Sequence, residues 1–120
     1  LGSAAANDKG YFQGVDGHHF STLEEVAICN WLYFAGITHS CGRKLPLEQE
    51  FYSDFYLPEG NVYIEYWGDK GGSGVLSNKL SRKSIYQENN WKLVEITKDD
   101  IASLDNVIPK ELLKHGVTVY

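Results

Sequence analysis

Phe51–Gly68, FYSDFYLPEGNVYIEYWG, decides the fold. Two alternating runs flank Pro58-Glu59-Gly60-Asn61: Tyr52, Asp54 and Tyr56 share one face and Ser53, Phe55 and Leu57 the other, while Val62, Ile64 and Tyr66 alternate with Tyr63, Glu65 and Trp67. With Glu59-Gly60 as the loop of a hairpin, Leu57 pairs with Val62, and Asp54 then lies opposite Glu65 on the same face. Directly opposed side chains sit roughly 5 Å apart at Cβ, where two like charges repel unless a positive charge lies between them. A solvated face of an edge hairpin is the plainer reading of two strand carboxylates. The aromatic company of Phe51, Tyr52, Phe55, Tyr56, Tyr63, Tyr66 and Trp67 argues against it, because both faces read as covered. Covered carboxylates on neighbouring strands are the usual hard-oxygen cradle for a magnesium ion in phosphate chemistry.

Working outward, 120 residues with 42% hydrophobic content suffice for one core and not for two. Residues 1–20 are small, polar and Gly-rich and read as a flexible lead-in with a turn near Gly14–Gly17; residues 21–120 read as the single domain. The absence of Met and the start at Leu1 lead to the expectation of a fragment with a domain upstream. A net charge of -5 excludes a general polyanion binder of the histone type. Lys70, Lys79, Arg82, Lys83, Lys92 and Lys98 nevertheless gather in one stretch and allow a local basic patch. Two cysteines are too few for a disulfide scaffold, which points to a reducing, cytoplasmic setting. The apolar stretch from Val26 to Ile37 is broken by Asn30 and falls short of the ~20 residues of a membrane span, so no membrane partner is expected.

Thr22 with Glu25 three residues on has the form of a capping box, and Leu23, Val26, Ala27, Trp31 and Leu32 form a helical stripe that ends at Gly36. Glu24 and Glu25 suit the first turn, where the helix dipole favours carboxylates, and this alone accounts for them as well as a functional role does. Ile37–Gly42 reads as a first strand with His39 and Cys41 on one face. A zinc site from His39, Cys41 and Cys29 lacks a fourth ligand at a recognisable spacing, and His18 and His19 read as exposed loop histidines. The loop from Gly68 to Gly74 lacks the Gly-Lys-Ser/Thr ending of a phosphate loop. A second helix spans Val75–Asn89 with Lys79, Lys83 and Tyr86 on one face, followed by a strand at Trp91–Ile96. Thr97–Leu104 reads as a short capped helix, and Pro109–His115, with Pro109 as its first residue, as another.

In this order the residues resemble the PD-(D/E)xK, or restriction-endonuclease-like, nucleases over about Thr22 to Ile96. The resemblance rests on EVAICNWL from Glu25, SDFYLP from Ser53, YIEYWG from Tyr63, and the Lys79–Tyr86 helix followed by WKLVEI from Trp91. Together these are similar to the branch found as nuclease modules of superfamily-one DNA helicases. The resemblance implies an α/β fold with an αβββαβ core, a mixed central sheet flanked by helices and short C-terminal helices.

It further implies that Asp54 and Glu65 bind Mg2+, with Mn2+ as a substitute, that the Tyr66 carbonyl is a further metal ligand, and that Glu25 approaches the metal directly or through water. Ser53 stands where the motif has proline, which supplies shape rather than chemistry. Trp67 stands where the motif has lysine, and Lys83, or Lys79 one turn earlier, is placed to substitute. The implied activity is metal-dependent hydrolysis of phosphodiester bonds in a nucleic acid, DNA by resemblance, with Lys70, Arg82, Arg43 and Lys44 joining the lysines as phosphate contacts. A helicase partner and a homodimer fit the same resemblance. The alternative, motivated by Trp67, is a catalytically inactive nuclease-fold module for nucleic-acid binding or assembly.

Overall fold

The computed structural model describes residues 12–48, 50–68 and 73–119, with 73–78 as helical backbone alone. In chain order the elements are β1 (Phe12–Gln13), β2 (His19–Phe20), α1 (Leu23–Phe34), β3 (Ser40–Cys41), β4 (Phe55–Leu57), β5 (Val62–Tyr66), α2 (Ser73–Glu88), β6 (Lys92–Ile96), a 3-10 helix (Lys98–Ser103) and α3 (Leu104–Lys114). The main sheet runs β3-β4-β5-β6, antiparallel except for the parallel pair β5-β6 that α2 connects. This is the mixed α/β arrangement expected, helix, three strands, helix, strand, with helices on both faces of the sheet.

The β4–β5 hairpin has the register read from its alternation: Leu57 pairs with Val62, Tyr56 with Tyr63 and Phe55 with Ile64. Its turn relies on Gly60 (φ 90) and Asn61 (φ 53), both in the left-handed region. At Gly60 a side chain is excluded twice, since an added Cβ would also collide with Cγ2 of Val117. The first strand is shorter than Ile37–Gly42, because Gly42 (φ 61) leaves the extended region. Its register persists past that point: Gly42 N–H donates to Asp54 O, Ser53 N–H to Arg43 O and Leu45 N–H to Phe51 O.

Alternation sends the two faces of the sheet to different partners. Phe55, Leu57, Val62, Ile64, Val94 and Ile96 pack with Ile28 and Leu32 of α1 and with Leu104, Ile108 and Leu112 of α3. Tyr56, Tyr63 and the partly buried Leu93 pack with Leu45, Phe51 and the fully buried Tyr86 of α2. The three helices end alike: Gly36, Asn90 and Gly116 take positive φ one residue past the cap. The next residue, Ile37, Trp91 or Val117, donates back to Leu32, Tyr86 or Leu112, forming Schellman closures.

Two elements depart from the sequence expectation. Residues 12–20, within the stretch read as a lead-in, form a two-stranded hairpin turned at Gly14–Gly17. It is fixed to α1 by Val15 N–H donating to Asn30 Oδ1 at 2.9 Å, and it buries Phe20. Pro109 does not begin a helix but lies inside α3. Its ring removes the donor for the Asp105 carbonyl, and burial of Leu104, Ile108 and Leu112 at four-residue spacing carries the helix through.

Candidate functional site

One step beyond the Phe55–Ile64 pair, Asp54 comes opposite Glu65, and the parallel register sets Glu65 beside Glu95. Three carboxylates thus cross β4, β5 and β6 in a row facing α2. Like-charged neighbours at this spacing need compensation, and α2 supplies it. Arg82 reaches Glu65 with both arms of its fork, Nη2 to Oε2 at 2.7 Å and Nε to Oε1 at 3.3 Å. Tyr86 donates its hydroxyl to the same Oε2. Lys83 Nζ lies 3.2 Å from Glu95 Oε1, and the Trp67 indole donates to Glu95 Oε2 at 3.0 Å.

The row is graded by burial. Glu65 is 1% exposed, so its charge depends on Arg82, whose Nη2 also donates to Tyr52 O at 2.6 Å and whose guanidinium lies over the Phe51 ring. Burial works against the Arg82 charge, but the hydrogen bonds and charge of Glu65 outweigh it and hold the guanidinium more firmly protonated than usual. Burial likewise pushes the Tyr86 phenol up, reinforced by the Glu65 charge, so Tyr86 acts as a donor. Asp54 is the exception. Burial first, and the Glu65 charge second, push its carboxyl up to about 7 against the Tyr66 N–H that donates to Oδ2 at 2.7 Å. A smaller repulsion from Glu25 acts in the same direction. Glu25 itself closes the N-terminus of α1, its Oε1 accepting from the Thr22 hydroxyl while its N–H donates to Thr22 Oγ1.

Of the residues read from the sequence, Asp54, Glu65 and Tyr66 meet at the ends of β4 and β5, and the charge of Glu25 reaches Asp54. Lys83 belongs to the row through Glu95, whereas Lys79 Nζ sits over the Trp67 ring, 5.4 Å from its centroid. Arg82, read as a phosphate contact, lies at the centre on Glu65. Arg43 stacks over the Tyr56 ring, Lys44 donates to Leu47 O, and Lys70 is outside the described residues. Glu95 was not among the candidates. Its signal was the alternation of Leu93 and Glu95, which placed it on a face but could not say which strand lay beside it.

On the opposite face of β4 a second group gathers. The ligand atoms of His18, Cys29, His39 and Cys41 all lie within 4.8 Å of one another. This corrects the expectation that the cysteines and His39 lack a fourth partner and that His18 is a plain loop histidine: the β1–β2 hairpin folds back on α1 and delivers it.

No protein-family model matches the chain, and no curated protein matches it in sequence. Among solved structures, the catalytic domain of the homing endonuclease I-Bth0305I is similar in fold, with a TM-score of 0.56 and 19% identity over 79% of this chain and 98% of that one. At that identity the likeness concerns the fold.

Proposed function

We propose that this chain is a metal-dependent nuclease of the PD-(D/E)xK kind that hydrolyses phosphodiester bonds, with DNA as substrate. The observation that carries it is the half-buried Asp54 opposed to the buried Glu65 on the adjacent strand, with the Asp54 carboxyl pushed up to about 7. A carboxylate in that position calls for a cation, and the fold of the I-Bth0305I domain together with the motif resemblance supports the reading.

The residues that would hold a hard divalent ion are Asp54, Glu65, the Tyr66 carbonyl and, at longer reach, Glu25, all oxygen donors, and Glu65 would have to turn from Arg82 and Tyr86 to reach it. When bound there, Mg2+, or Mn2+ in its place, would supply Lewis-acid polarisation of a phosphoryl oxygen and a lowered pKa for bound water. The chain's own residues do the rest. Glu25 orients water from the first turn of α1. Lys83, or Lys79 one turn earlier, holds positive charge along α2, where the scissile phosphate gains negative charge, and stands in for the motif lysine displaced by Trp67, while Arg82 is bonded to Glu65. Arg43, Lys44 and Lys70 contact flanking phosphates, which hold register without reading sequence. A helicase partner and a homodimer, allowed by the resemblance, are not needed.

The test is cleavage of supercoiled and linear DNA with magnesium, with chelator, and with Asp54→Ala. Magnesium-dependent cleavage lost in a folded Asp54→Ala variant is expected; cleavage unchanged by the substitution would sink the proposal. One observation favours a second reading. Both Glu65 oxygens are already engaged by Arg82 and Tyr86, as suits an inactive module that retains the fold for nucleic-acid binding or assembly. That module would bind DNA without responding to magnesium.

A further inference from the structure

The geometry points to a structural zinc site formed by His18, Cys29, His39 and Cys41, separate from the carboxylate row. The ligands come from three places: the end of the β1–β2 turn, the middle of α1, and the run into β3. Cys29 Sγ lies 3.5 Å from His18 Nδ1 and 3.3 Å from His39 Nε2. A tetrahedral ion with Zn–S about 2.3 Å and Zn–N about 2.0–2.1 Å needs ligand-to-ligand edges of roughly 3.3–3.8 Å. The four ligand atoms, all within 4.8 Å of one another, come within about 1 Å of that span.

The surroundings match what such a ligand set requires. His39 Nδ1 is 2.9 Å from Ile37 O, so this nitrogen carries the proton for the carbonyl and Nε2 turns its lone pair into the cluster. That is how a histidine ligand is oriented and its tautomer fixed. The His39 side chain is 4% exposed, and Cys29 is buried. Asp16 brings a carboxylate against the same atoms, with Oδ2 at 2.8 Å from His18 Nδ1 and 3.2 Å from His39 Nε2. Cys29 Sγ lies 3.3 Å from the same Oδ2, so this carboxylate oxygen touches three of the four ligand atoms and holds the place an ion would take; with zinc bound, Asp16 turns aside. Two sulfurs and two nitrogens in tetrahedral reach favour zinc over magnesium or calcium. Four protein ligands leave no open position, so the site holds structure and does no chemistry.

The fold shows what the ion would hold. The β1–β2 ladder has two residue pairs, too few to be stable alone. Zinc would fasten this hairpin to α1 and β3, beside the polar contacts of Val15 with Asn30 and of Asp16 with Cys29 and His39.

The experiment is metal analysis of the whole chain purified without added chelator, with Co2+ substitution as a spectroscopic probe. One zinc per chain is expected. Cobalt should give the intense visible bands of a tetrahedral ion with thiolate charge transfer in the near ultraviolet. Cys41→Ser and His18→Ala should weaken retention against a chromophoric chelator at least tenfold, while His19→Ala and Asp54→Ala retain one equivalent. If the ligand variants do not fold, alkylation of the wild type decides: both thiols should be protected until a chelator is added. A wild-type chain that is folded, binds no zinc or cobalt, and has either freely alkylated thiols or a Cys29–Cys41 disulfide would overturn the proposal.

Discussion

Two clusters sit back to back on β4, and they solve opposite problems. On the α2 side, Asp54, Glu65 and Glu95 concentrate negative charge, and the protein answers with its own cations, Arg82 on Glu65 and Lys83 on Glu95. On the α1 side, His18, Cys29, His39 and Cys41 gather soft donors around Asp16, with no lysine or arginine bonded to them among the described residues. The first is poised: its charge is mostly balanced, and one member, Asp54, is left strained towards protonation. The second is a closed ligand set whose balance depends on what binds. Under the proposed function the row would have to exchange substrate and its polar partners to rearrange, whereas the proposed zinc staple would need ligands that do not move.

The largest effect that would test this contrast falls on Arg82. Glu65 is 1% exposed, so Arg82→Ala leaves a buried charge unpaired and should lower unfolding stability by about 3–5 kcal/mol. Adding Glu65→Gln to that variant should recover much of the loss in chemical denaturation. If Arg82→Ala costs less than about 1 kcal/mol, the compensation lies elsewhere.

Next comes the pH dependence of Asp54. Its carboxyl is pushed up to about 7 in the folded state from the ordinary 3.8 of an aspartate, so between those values the folded state binds more protons than the unfolded one. Stability therefore falls as pH rises through that window, by up to about 4 kcal/mol from this group. Asp54→Asn, which keeps an acceptor for the Tyr66 N–H, should remove the slope and be more stable than wild type at pH 8. An unchanged slope in urea titrations across that range would show that Asp54 is not the strained member.

The smallest effect belongs to Lys83. Its pair with Glu95 is about one-third exposed on both sides, so Lys83→Ala should change stability by only about 0.2–1 kcal/mol. The same substitution should reduce DNA cleavage by on the order of 10²-fold, if its charge acts on the phosphate. Equal, small losses in both would reduce Lys83 to a surface ion pair.

The contrast also explains what could be read before the structure. Asp54 and Glu65 were visible because a hairpin is local: alternation and the Pro58–Asn61 turn define the register, and Leu57 does pair with Val62. Thr22 and Glu25 were visible for the same reason, within one turn of helix. Glu95 joins the row only through the parallel pairing of β5 with β6 across α2, which no local pattern specifies. Arg82 was read as a phosphate contact, because a basic helix face looks alike whether it meets a polyanion, solvent or a buried glutamate. His18 was hidden most completely. Its partners lie 11, 21 and 23 residues away in α1 and near β3, and only the fold-back at Gly14–Gly17, anchored on Asn30, brings them together. Pro109 shows the reverse case, a local signal overridden by the buried stripe of α3.

The most direct measurement is magnesium titration by calorimetry, with and without a short DNA duplex, on the wild type and on Asp54→Ala, each checked for folding. The account predicts saturable magnesium binding by the wild type, tighter at pH 8 than at pH 6 because Asp54 must be ionised, and lost in Asp54→Ala. A folded wild type that binds DNA but takes up no magnesium at either pH, with or without the duplex, would contradict it and leave the inactive module as the reading of this fold.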